Sequence, residues 1–229
     1  MANPVITSID NGSVVVDRGP MRDETLAFPG ADTYVEGTLL ARREVSSTVT
    51  VTPDGGNTGD GTVTAAAPVA GDLVPLVGNY NLECIEAVTN GGIFKLEDPN
   101  GALVTGYIDS LLNSGVVEAG GLTFTITDGA ADFVAGDKFT LAVAADGDIV
   151  VYSATGVGGA QFPVSVLTYE VVATGAGDVP FRMMQSGVVA KNRLVIDGGG
   201  SITTSILDQL RKVGIVAKDF ADLSVADNS

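Results

Sequence analysis

Between residues 80 and 143 apolar and polar side chains alternate with a period of two in four separate runs, a pattern that only half-buried strands satisfy. Tyr80, Leu82 and Cys84 fall on one face, with Asn81 and Glu83 on the other. Phe94 and Leu96 alternate with Lys95 and Glu97; Leu122, Phe124 and Ile126 alternate with Thr123, Thr125 and Thr127; Phe139, Leu141 and Val143 repeat the pattern. Successive strand residues point to opposite faces, so each run has one dry and one wet side. Asn90-Gly91-Gly92, Asp98-Pro99-Asn100-Gly101 and Asp128-Gly129 lie between the runs and supply turn chemistry. Short strands with one apolar face, spaced by turns, predict a small sandwich.

Two turn-rich seams bound this region: Pro53-Asp54-Gly55-Gly56-Asn57-Thr58-Gly59-Asp60-Gly61 and Asp146-Gly147-Asp148. Residues 54–145 are therefore read as an inserted β-sandwich, since flexible seams tolerate insertion best. The flanking pieces, 24–53 and 146–229, form a discontinuous core. Its expected strands are Gly37–Arg42, Val45–Thr52, Ile149–Tyr152, Val164–Leu167, Tyr169–Ala173, Val179–Met184 and Leu194–Ile196. Ile202, Ile206, Leu207, Leu210 and Val213 recur at helical spacing, with Ser201 or Thr203 as cap and Gly214 as the C-terminal stop. Residues 1–23 sustain neither period and read either as an extended arm or as a frayed terminus. An extended arm can add a strand to a partner's sheet edge.

Composition narrows the function classes. With 229 residues, 45% of them hydrophobic, the chain can bury one large core or two modest ones. A formal charge of −16, from 28 acidic and 12 basic residues, disfavours nucleic acid and anionic membrane as partners. No run approaches the ~20 apolar residues of a membrane helix. No basic, apolar leader opens the chain, so the expectation is a soluble product of a cytoplasm. Histidine is absent, which removes Ser-His-Asp and Cys-His catalysis and histidine-ligated zinc.

Cys84, the one cysteine, can form no intrachain disulfide, and on the apolar face of its run it reads as an inert buried thiol. Gly156-Val157-Gly158-Gly159 and Gly198-Gly199-Gly200 lack the companions of a phosphate loop and read as turns. The stretch from Asp54 to Asp60 holds calcium-loop residue types without the closing Glu, so calcium is only a weak candidate ligand. The acidic residues read as a solvated face and not as a paired-carboxylate site. The expectation is no enzyme, no cofactor and no metal.

Read together, Gly37-Thr38-Leu39-Leu40, Tyr152-Ser153-Ala154-Thr155-Gly156, Pro163-Val164-Ser165-Val166-Leu167 and Val179 through Ser186-Gly187-Val188-Val189 follow an order that resembles the lambda-type head decoration proteins of tailed bacteriophages. Lys191-Asn192-Arg193-Leu194 and the helix from Thr203 to Val213 extend that likeness. Asn57 to Thr64, Asn90-Gly91-Gly92-Ile93-Phe94 and the Phe124–Ile126 and Phe139–Leu141 pair resemble the β-sandwich modules of longer family members. Pro163 departs from a Gly-rich strand entry, and a proline cannot donate a ladder bond.

The resemblance implies a mainly β fold: a compact β-barrel or β-tulip-like core with one C-terminal helix, interrupted by an Ig-like sandwich. It implies a capsid cement protein that sits as a homotrimer on the outer surface of the expanded phage head. There it would bind the major capsid protein and resist internal DNA pressure. Val5, Ile6, Ile9, Val14, Val15, Val16, Arg18 and Arg22 are the expected capsid-binding arm residues. Phe162, Val164, Phe181 and Met183 are the expected trimer contacts, and the insert is a candidate binder of a host-surface ligand. A carbohydrate-binding or adhesin-type β module is the alternative, disfavoured by the absence of Trp.

Overall fold

A computed structural model describes residues 13–71 and 73–219. The chain is mainly β with a single α-helix among the described residues, and it divides into two compact units. Among the described residues, the first comprises 13–42, 148–154 and 162–219; the second comprises 43–71, 73–147 and 155–161.

In chain order, the first piece of unit one holds β1 (Val15–Arg18), β2 (Met21–Phe28), β3 (Asp32–Tyr34) and β4 (Leu39–Arg42). The second unit holds β5 (Val45–Pro53), β6 (Thr62–Pro68), β7 (Gly78–Val88), β8 (Gly91–Glu97), β9 (Leu103–Asp109), β10 (Val116–Ala119), β11 (Leu122–Thr127) and β12 (Lys138–Ala145). Unit one resumes with β13 (Ile149–Val151), β14 (Pro163–Val166), β15 (Val171–Ala173), β16 (Gly177–Met184), β17 (Gly187–Ala190), helix α1 (Thr204–Lys212) and β18 (Ile215–Lys218).

In unit one a five-stranded sheet runs β14-β4-β13-β2-β16, beside a three-stranded sheet β1-β17-β18 and the pair β15-β3. The expected closed barrel is not formed. No ladder joins the outer strands β14 and β16, although the Ser165 hydroxyl donates to the Met184 carbonyl at 2.9 Å. Pro163 lies on outer strand β14, paired with Ala41 and followed by a register shift before Ser165. That is where a residue without an N–H is tolerated.

Two apolar clusters fill the unit. One gathers Leu39, Val166, Met184 and Val189 under Ile206 and Leu210 of α1; the other gathers Leu26, Phe28, Tyr34, Leu40 and Phe181. Phe28 and Tyr34 stack with centroids 4.7 Å apart. Thr203 caps α1 by accepting from the Ile206 N–H, and Gly214, at φ +86°, ends it.

The second unit is a five-on-three sandwich, β5-β12-β7-β8-β9 against β10-β11-β6. Tyr80, Leu82 and Cys84 of β7, Phe94 and Leu96 of β8, and Phe139 and Leu141 of β12 meet Leu122, Phe124 and Ile126 of β11 in one core. These are the apolar halves of the alternating runs. Phe133, from the loop before β12, sets its ring edge-on to Phe94 at 5.0 Å, and a Cβ at Gly61 would run into that ring.

Variable-type immunoglobulin sandwiches order their sheets GFCC′C″ and ABED. Here β12-β7-β8-β9 takes F-C-C′-C″ and β10-β11-β6 takes D-E-B, in the same chain sequence. The difference is β5, the unit's first strand, which pairs with β12 in the place of G. The boundaries therefore lie outside 54–145: Val45–Pro53, read from sequence with the flanking core, is a strand of the sandwich. Residues 155–161 also belong to it, since the Gly158 carbonyl accepts from the Glu44 and Val45 N–H groups.

Candidate interaction surfaces

The residues expected to form a free arm separate into three groups. Val5, Ile6 and Ile9 lie outside the described residues. Val14 is 1% exposed in the core of unit one and Val15 is half-buried, paired with Val189 in β17. Glu36 fixes this entry: one carboxylate oxygen accepts from the Ser13 hydroxyl at 2.8 Å and from the Val14 N–H at 2.7 Å. Arg22 sits on β2, which pairs with β16 along its full length, and forms an ion pair with Glu24 at 3.0 Å. Residues 14, 15 and 21–23 are thus structural, and the free-arm reading of them is corrected. Val16 and Arg18 do point outward from β1, an edge strand.

Of the four residues expected at a trimer interface, Phe181 and Met183 are buried in the core of their own unit. They are spent on the fold and cannot meet a second copy. Phe162 and Val164, next to and on the outer strand β14, are half-buried and keep part of their surface.

The second unit carries a charged face and an apolar edge. Lys95 bridges Glu83 at 3.0 Å and Lys138 reaches Glu83 at 3.6 Å, across directly paired positions of β12, β7 and β8, and Lys95 also bridges Glu97, two residues along its own strand, at 2.9 Å. The hydrogen bonds to Glu97 and Glu83 raise the Lys95 pKa, and the Lys95 and Asn81 side chains lower that of Glu97. At the far side of both sheets lie β9 and β10, with Tyr107 65%, Leu112 58% and Val116 46% exposed. They border a hollow of about 400 Å³, lined also by Asp109 and Glu118. The sequence hid this surface, because β9 does not alternate cleanly. Its only hint is the Leu111-Leu112 pair between two turns.

The Asp54–Asp60 loop spends its polar groups on the protein. Asp54 accepts from the Gly56 N–H, Asp60 from the Ala131 N–H, and Asn57 exchanges two hydrogen bonds with the Lys138 backbone. Asp137, 3% exposed, is the hub: its carboxylate accepts from the N–H groups of Thr58, Gly59 and Val134. Burial works to raise its pKa, but the three N–H donors outweigh burial and hold it below the ordinary value.

Asp128 shows the opposite balance. Burial, then the charge of Asp132, pushes its pKa up, and its Oδ1 is buried without a hydrogen-bond partner among the described residues. Burial likewise raises the Cys84 thiol, as its place on the apolar face predicts.

No family model matches the chain, and no curated protein matches it. Two crystal forms of Xanthomonas campestris FlgL are similar to part of it. One is 18% identical over 50% of this chain and 34% of that chain; the other is 19% identical over 48% and 33%; both have a TM-score of 0.34. The chain spans about a third of the length of these structures. A likeness of that size carries no argument about fold or function.

Proposed function

We propose that this chain is a non-catalytic virion structural protein of the head-decoration type. It binds the outer surface of the expanded phage head as a homotrimer, through the major capsid protein, and stabilises the shell against internal DNA pressure. The observation that carries the reading is the way the second unit is let into the first. Arg42 and Ile149 are ladder partners in unit one, and Val45 and Ala145 are ladder partners in unit two. Each unit thus keeps its own apolar core, the second being let in between Arg42 and Ile149 and completed by residues 155–161.

The strand order that resembles decoration proteins supports a phage shell as the partner, and the anchored entry at Glu36 supports an attachment through what precedes it. Val5, Ile6 and Ile9 are the proposed apolar contacts of that segment, with Val16 and Arg18 on the adjoining strand edge. Phe162 and Val164 are the remaining proposed trimer contacts. Three weakly binding segments on one body act at high effective concentration, so the clamp outlasts any one contact.

The test is a truncation that spares β1. A chain lacking residues 1–12 keeps the unit-one core, and it is mixed with expanded, undecorated heads and sedimented beside the full chain. The reading expects the full chain to co-sediment and the truncated chain to stay in solution with an unchanged melting temperature. Full binding by the truncated chain overturns the assignment of these contacts.

A further inference from the structure

Both sheets of the second unit end on the same side in strands with no outer neighbour among the described residues, β9 in one and β10 in the other. The two edges treat an incoming strand differently. The β9 edge carries two register shifts against β8, the distortion by which natural sheets spoil an edge for further pairing. The β10 edge keeps an unbroken register with β11 over Val116–Ala119 and contains neither proline nor lysine. Its only protection is its short length, four residues, and the single charge of Glu118.

A trench follows that edge. The hollow of about 400 Å³ beside Tyr107, Leu112 and Val116 shares Glu118, Ala119 and Gly120 with a second of about 280 Å³ that ends on Val69 and Leu73. Among the described residues its charged lining is Asp109 and Glu118, with no basic side chain. Residues 43–147 and 155–161 hold three basic residues, Arg43, Lys95 and Lys138, against fourteen acidic ones. All three are ion-paired. A second copy of this chain would bring the same acidic edge and be repelled, so the occupant that fits is cationic.

We propose that the outer edge of β10 accepts an extended segment of a partner protein as an added strand, one that alternates apolar residues with Lys or Arg. Along β10, Val117 is buried and Val116 and Glu118 are exposed. Paired strands share their faces, so the partner's apolar residues enter the trench while its cations lie beside Glu118. Backbone ladder bonds supply affinity, and the alternation with acidic neighbours supplies choice of partner. This binding site is separate from attachment through unit one.

The probe is a fluorescein-labelled eight-residue peptide alternating valine with lysine, titrated with the full chain at low salt and read by anisotropy. Saturable binding is expected, weakened at least tenfold when glutamate replaces lysine or when proline replaces a central valine. Glu118→Lys should lose at least tenfold with an unchanged melting temperature, while Glu86→Lys, exposed on β7, should bind as the parent does. No saturable binding, equal binding of the proline peptide, or equal losses in Glu118→Lys and Glu86→Lys each overturns the proposal. Glu118→Lys should still co-sediment with phage heads, which separates this site from head attachment.

Discussion

A carboxylate held among backbone N–H groups and one held beside another carboxylate respond to pH with opposite signs, and the second unit contains one of each. Asp137 has its folded pKa depressed, so its contribution is present above the unfolded value of about 3.9 and is lost as pH falls through the folded one. Asp137→Asn should cost about 2 kcal/mol at pH 7, since charged hydrogen bonds to buried N–H groups are replaced by weaker ones. Urea unfolding checks this, and the difference from the parent should shrink in acid.

Asp128 has its folded pKa raised, so its favourable contribution exists below the unfolded value and is lost as pH rises through the folded one. Asp128→Asn should therefore raise the melting temperature at pH 7, with the gain gone below about pH 4. Cys84 should react with a thiol reagent only as fast as the unit opens, because burial both shields it and disfavours its thiolate. Immediate labelling of the native protein would contradict that placement.

At the scale of elements, the α1 cap is a local device with a local cost. Thr203→Ala should destabilise unit one by about 1 kcal/mol by leaving the Ile206 N–H without its acceptor, measured as a shift in the urea midpoint. Helix α1 was legible in sequence from Ile202 to Gly214 because its apolar stripe, cap and stop agree. The sandwich strands were legible for the same reason, since Tyr80–Cys84 and Leu122–Thr127 each bury one face only. Strands with less contrast were not. Gly187–Ala190 and Ile215–Lys218 pair with each other in parallel across the intervening helix, a long-range choice that no local period records. Val14 reads as one of three consecutive valines, and only the fold decides that it is the buried one. The same limit hid the β10 edge, whose meaning depends on what does not pair with it.

Over the whole molecule, the two units keep separate apolar cores, and the second is made almost entirely of residues 43–147 with only 155–161 added from beyond, so removing 43–147 should leave the first core intact and 155–161 as a surface loop. Replacing residues 43–147 with an Asn-Gly turn should leave unit one folded, with β-type circular dichroism and a cooperative melt, because Arg42 and Ile149 already face each other in a ladder. Loss of structure would show that the first core depends on the second. The proposed function makes unit one a docking body for a viral shell. Electron cryomicroscopy of expanded, undecorated heads incubated with the full chain tests it most directly. Three copies of unit one are expected around each local three-fold position, and heads that remain bare at saturating protein would overturn the proposed function.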